Sequence, residues 1–125
     1  MRIETNERAL DADLERLATV AGNAATEALR ASLDDEGTGR HYPHLPHQSS
    51  REGEYPSYQF GDLLESVAFE VDGTTAHVGA IQDPPDHAFW LHVVEESAGG
   101  RPFCLYAMHD RQHRQDIETA LREGR

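Results

Sequence analysis

Residues 37–57, GTGRHYPHLPHQSSREGEYPS, place the tightest limit on how this chain folds. Three Gly and three Pro fall within this stretch, and Leu45 is its only aliphatic residue. Proline removes a backbone donor and fixes φ, so neither a helix nor a central strand fits. Loops longer than about 12–15 residues are uncommon inside a compact domain and are usually functional or disordered. The stretch therefore reads as an extended loop or arm that touches something other than its own domain. The core has to come from what precedes and follows it.

What precedes it reads as one long amphipathic helix over residues 6–36. Leu10, Leu14, Leu17, Ala21, Ala24 and Ala28 recur at alternating spacings of four and three, which keeps an apolar stripe on one face, and Leu29 and Leu33 widen it. Thr5 or Asn6 suits the N-cap, Gly37 suits the stop, and the early acids (Glu4, Glu7, Asp11, Asp13) complement the helix dipole. The Ala-rich half of the seam allows close backbone approach, and packing within the domain is favoured over a coiled coil.

Order returns at residues 58–104. A short turn or helix around 61–66 leads into a strand at 66–71, Asp72-Gly73 signals a hairpin, and a second strand follows at 75–81. Alternation places Val67, Phe69 and Val71 on one face, and Ala76, Val78 and Ala80 on one face of the partner strand. HAFWLHVVEE reads as a short helix stopped by SAGG, and RPFCLYA begins extended because Arg101 precedes a proline. Residues 105–123 read as a final helix with sparse apolar contacts. The expected fold is a single α+β domain: a long N-terminal helix and a C-terminal helix packed on a small antiparallel sheet with a central β-hairpin and a long extended loop.

Charge narrows the function. There are 23 acidic residues against 11 basic ones, every base is Arg, and the net charge is −12. Such a chain repels nucleic-acid phosphates rather than reading them. No apolar run approaches the roughly 20 residues of a membrane span, so no membrane partner is expected. The first residues show no export signal, and the lone Cys104 fits a reducing compartment.

The residues with catalytic potential do not assemble into a motif. His41, His44 and His47 recur every third residue, but in a polyproline II segment they stand about 9 Å apart along the axis. His109 and His113 are four apart and form a possible chelating pair. The acid pairs Asp34/Asp35 and Glu95/Glu96 are adjacent and point apart on a helix. Ser49-Ser50 lacks a nucleophile elbow, and GTGR follows a helix rather than a strand, so it is no phosphate loop. Arg101-Pro102-Phe103 has two readings of equal weight. It is either an interface anchor, or a core Phe beside a surface ion pair.

Four segments in order carry a resemblance: TGRHYP at 38–43, EGEYPSYQFGDLLESV at 52–67, HVGAIQDPPDHAFWLHVVE at 77–95 and RPFCLYA at 101–107. With the flanking helices they resemble the tailed-phage neck or tail-completion proteins of siphophages. Gly53-Glu54-Tyr55-Pro56, Gly61 to Ser66, Ala88-Phe89-Trp90-Leu91 and Arg101-Pro102-Phe103 fill that family's motif positions. Phe60 stands where the family often has Thr, and VVEESAGG replaces its usual Glu-Phe-Gly-Thr.

The resemblance implies a non-catalytic virion protein without cofactor or metal. It would act at the head–tail interface as a ring, with six copies the expected number, around passing double-stranded DNA and against neighbouring neck and tail proteins. Assembly would take place in the host cytoplasm. The interface candidates that follow are Arg40, His41, Tyr42, Pro43, Arg51, Glu54, Tyr55 and Pro56 in the arm, and Arg101, Pro102 and Phe103. Tyr42, Pro43, Tyr55 and Pro56 would supply rigid apolar contacts, while Arg40 and Arg51 would pair acids next door. The competing expectations are a small metal-binding protein or enzyme using the histidines, and an acidic soluble adaptor.

Overall fold

The computed structural model describes residues 7–124, with side chains from residue 12 onward. Helix α1 (Glu7–Leu33) is followed by the long loop, a one-turn helix α2 (Asp62–Ser66), strands β1 (Val67–Asp72) and β2 (Thr75–Ala80), and helix α3 (His87–Val93). A single 3₁₀ turn (Glu96–Ala98) then leads to α4 (Phe103–His109) and α5 (Arg111–Glu123). The class is α+β. The possible caps Thr5 and Asn6 lie outside the described residues, as do the side chains of Leu10 and Asp11.

The hairpin follows the alternation in its sequence. β1 and β2 pair antiparallel with Val67 opposite Ala80, Phe69 opposite Val78 and Val71 opposite Ala76. The turn sits one residue later than Asp72-Gly73 suggests, because Asp72 pairs with Thr75 and the loop is Gly73-Thr74. Gly73 has φ +61 and Thr74 is not left-handed, the sign pattern of a type II′ turn, in which Gly takes the first central position.

α1 is the scaffold. From residue 12 onward its buried positions are Ala18, Val20, Gly22, Thr26, Leu29 and Leu33, whereas Leu14 is exposed. The stripe facing the hairpin is therefore rotated from the Leu14–Ala28 seam toward Gly22, Leu29 and Leu33. The cause is Phe69: its ring lies so close to Gly22 that an added Cβ would meet Cδ2 at 2.5 Å. Glycine creates the notch that seats the ring. Leu29, Leu33, Val67 and Phe103 form the core, with Leu63, Leu64, Leu91 and Tyr55 packed around them.

Three expectations about the helices are corrected. α5 packs along α1 rather than on the sheet. The single helix expected over 105–123 is two helices broken at Asp110, whose φ/ψ of −81°/115° is extended. Its carboxylate caps the new start, accepting from Gln112 N at 2.9 Å and His113 N at 3.3 Å. The first helix also begins earlier than the sequence suggests, because Phe103 turns inward immediately after Pro102.

The junction between α2 and β1 is sealed from water. Val67 is wholly buried, and its carbonyl accepts from Arg30 Nε at 2.9 Å and Nη2 at 2.6 Å. The Ser66 carbonyl accepts from the amides of Ile81 and Gln82, both at 3.0 Å. Buried carbonyls need such partners.

Candidate interaction surface

The long loop is not a free arm. Gly39 N donates to Ser49 O at 2.7 Å and Ser49 N to Arg40 O at 3.0 Å, which closes residues 40–49 into a pinned excursion. Glu54 Oε1 accepts from Thr38 N at 3.2 Å, Thr38 Oγ1 at 3.0 Å and Arg51 N at 2.6 Å. These backbone donors at Arg51 and Thr38 hold its carboxyl below the ordinary glutamate range. Gln59 gathers both backbone groups of His47, and the His47 ring pairs with Glu36. The loop satisfies its own polar groups through side chains, so it lies on its domain without an apolar stripe.

Tyr55 ties the loop to the helices. Its hydroxyl donates to Asp110 Oδ2 at 2.7 Å and its ring stacks on His113, centroid to centroid 5.6 Å. Burial first, then the bond to Asp110 and its charge, hold the Tyr55 hydroxyl un-ionised far above the usual phenol range. Burial also pushes the Asp110 carboxyl up, but the Tyr55 hydroxyl and the His113 and Gln112 amides outweigh it, and its pKa falls below the usual aspartate value. His113, 5% exposed, bonds Ser32 on α1 at 2.8 Å through Nε2. Asp110 Oδ2 also lies nearest that same nitrogen, at 3.7 Å. A nucleophilic relay needs serine and carboxylate on opposite ring nitrogens. This arrangement instead braces α1, α5 and the loop against one another.

Arg101 makes the second tie. It is 8% exposed, and its Nε and Nη2 donate to Ser50 Oγ and O at 2.9 and 3.0 Å. Its Nη1 reaches the carbonyls of Glu96 and Gly100 at 2.9 and 2.6 Å. Neither reading of the Arg-Pro-Phe motif holds for Arg101, which is a buried clip rather than an exposed anchor or a surface ion pair. Phe103 is the core residue of the second reading, with no exposed surface.

The eleven interface candidates therefore separate into two groups. Arg40, His41, Tyr42, Pro43 and Arg51 are exposed. The Arg40 guanidinium lies 5.1 Å from the Tyr42 ring centroid, and the His41 ring contacts Leu45 O at 2.9 Å. Glu54, Tyr55, Pro56, Arg101, Pro102 and Phe103 are half-buried or buried and serve the chain's own fold. Among the described residues no three of His, Cys, Asp and Glu come together to hold a metal ion.

Between the loop and α3 runs a groove of about 580 Å³, walled by Tyr42, Leu45, Pro56, Leu63, Leu91 and Arg101. Beyond it α3 shows an apolar surface that sequence reasoning missed. Phe89, Trp90 and Val93 are 63%, 58% and 54% exposed, while Ala88 turns inward. α3 packs on α4 through His92, whose ring centroid is 4.4 Å from that of Phe103. α4 in turn exposes Leu105 and Met108. The available signal lies in HAFWLHV, whose five apolar residues spread around the helix instead of sharing one face: a seven-residue helix at a surface buries one face only.

No helix among the described residues is long and apolar enough to cross a membrane. No protein-family model matches the chain, and no curated protein or solved structure matches it either.

Proposed function

We propose that this chain is a structural protein of the phage neck, working as a non-catalytic ring at the head–tail interface. The observation that carries the reading is the apolar surface of α3 and α4. A chain of net charge −12 exposes Phe89, Trp90, Val93, Leu105 and Met108 on two packed helices, which is the composition of an assembly surface. The order of the four resembling segments supplies the identity of the assembly. An acidic ring suits a DNA passage, because few phosphate contacts form and the duplex slides.

Native mass spectrometry of the full chain at two salt concentrations, without chelator, tests this. The expected result is a closed, metal-free ring that gains occupancy as salt rises. A monomer carrying one stoichiometric metal ion would replace this reading with the histidine-site one.

A further inference from the structure

We infer that copies of this chain join head to tail, the aromatic ridge of α3 on one copy seating in the loop–α3 groove of the next. This rests on the ring reading and assigns its interface. The two halves of the contact are built on one helix. At 100° per residue, Asp86, Phe89, Trp90 and Val93 (i, i+3, i+4, i+7) form one stripe. His87 and Leu91, which line the groove, lie roughly 130° around the helix from the centre of that stripe, on a separate flank. A ridge on one side and a receptor on the other is the polarity that a heterologous, ring-closing contact requires.

Size and charge both select a second copy as the occupant. A groove of about 580 Å³ with Leu45, Pro56, Leu63 and Leu91 in its walls suits aromatic side chains. Arg40, exposed beside Tyr42 on the groove rim, pairs with no carboxylate among the described residues. Asp86, exposed at the end of the ridge stripe, has no cap role through its side chain. The ridge is flanked by Asp83, Asp86, Glu95 and Glu96. Ridge-to-ridge pairing about a two-fold axis would set these acids against their own copies, whereas the groove rim offers them a cation, Arg40, alongside the single wall acid Asp62.

Sedimentation velocity on the full chain and three variants tests the arrangement. The ridge variant carries Phe89→Ser with Trp90→Ser. One groove variant carries Leu45→Glu and the other Arg40→Glu, at residues outside the core, and circular dichroism checks that each variant keeps its helix content. Loss of an aromatic anchor costs 2 kcal/mol or more in typical interfaces, so each variant alone should weaken association on the order of thirtyfold. Mixing the ridge variant with the Leu45→Glu variant should give a one-to-one dimer and nothing larger, because only one intact interface remains.

Assembly of both groove variants at the wild-type strength would overturn the inference while leaving the ring reading in place. So would even-numbered oligomers of a groove variant together with loss in the ridge variant, which is the two-fold pattern. A wild-type chain that stays monomeric at all concentrations and salts would overturn it as well. The neck reading would then be judged separately, by whether purified virions contain the chain.

Discussion

Asp110 does three jobs, one through its backbone and two through its carboxylate. It ends α4, caps α5 and accepts the Tyr55 hydroxyl. Asp110→Ala should therefore destabilise the fold by about 2 kcal/mol, beyond the ~1 kcal/mol of a typical cap, as read by urea unfolding. Its pKa is lowered in the folded state, so its contribution is complete above the unfolded aspartate value. That contribution is lost as pH falls through the folded value. Acid unfolding of Asp110→Asn should be correspondingly shallower than that of the wild type, and identical slopes would refute the assignment. Thr26 offers the opposite test. Its hydroxyl is buried and finds no partner among the described residues, so Thr26→Val should leave stability unchanged or raise it by about 1 kcal/mol. Gly22→Ala should cost about 1–3 kcal/mol in the same assay, because the Phe69 ring occupies the space. None of these three positions is marked in the sequence. Asp110 reads as a mid-helix acid and Gly22 as a weak point, because the residues that define them, Tyr55 and Phe69, are tens of positions away.

The elements differ in how plainly the sequence announces them. α1 and the hairpin rest on local signals, a 3.6-residue periodicity and a turn glycine between alternating strands; the hairpin is legible within a residue, and α1 ends three residues before the expected 36. The expected α+β class follows from them. The loop is misleading for the same reason: its composition correctly excludes helix and strand, but what holds it is a set of long-range bonds to single atoms. Glu54, Arg101 and Tyr55 each reach across sequence to satisfy a backbone or side-chain group, and hydropathy patterns do not record such contacts. Deletions separate the anchored part from the rest. Removing 41–46 inside the excursion closed by Arg40 and Ser49 should leave the melting temperature within a few degrees while weakening self-association, since Tyr42 and Leu45 leave the groove. Removing 40–55 also takes away Ser50, Glu54 and Tyr55, and should unfold the α4–α5 corner, measured as lost helical ellipticity.

At the scale of the whole molecule, acidity and exposed hydrophobic surface oppose each other. Copies at −12 repel one another, and salt screens that repulsion beyond about 8–10 Å, so association should strengthen with ionic strength where most charge-steered complexes weaken. The sealed junction between α2 and β1 has a different consequence, in the order in which the molecule comes apart. The carbonyls of Ser66 and Val67, both on buried residues, are held by the two amides that follow β2 and by Arg30. Local openings start where backbone bonds are solvated and few side chains pack. The amides of Ile81 and Gln82 should accordingly be among the slowest to exchange with deuterium, and those of 41–46 among the fastest. The chain would then open first at its loop tip, with the hairpin's base on α1 the last part to open.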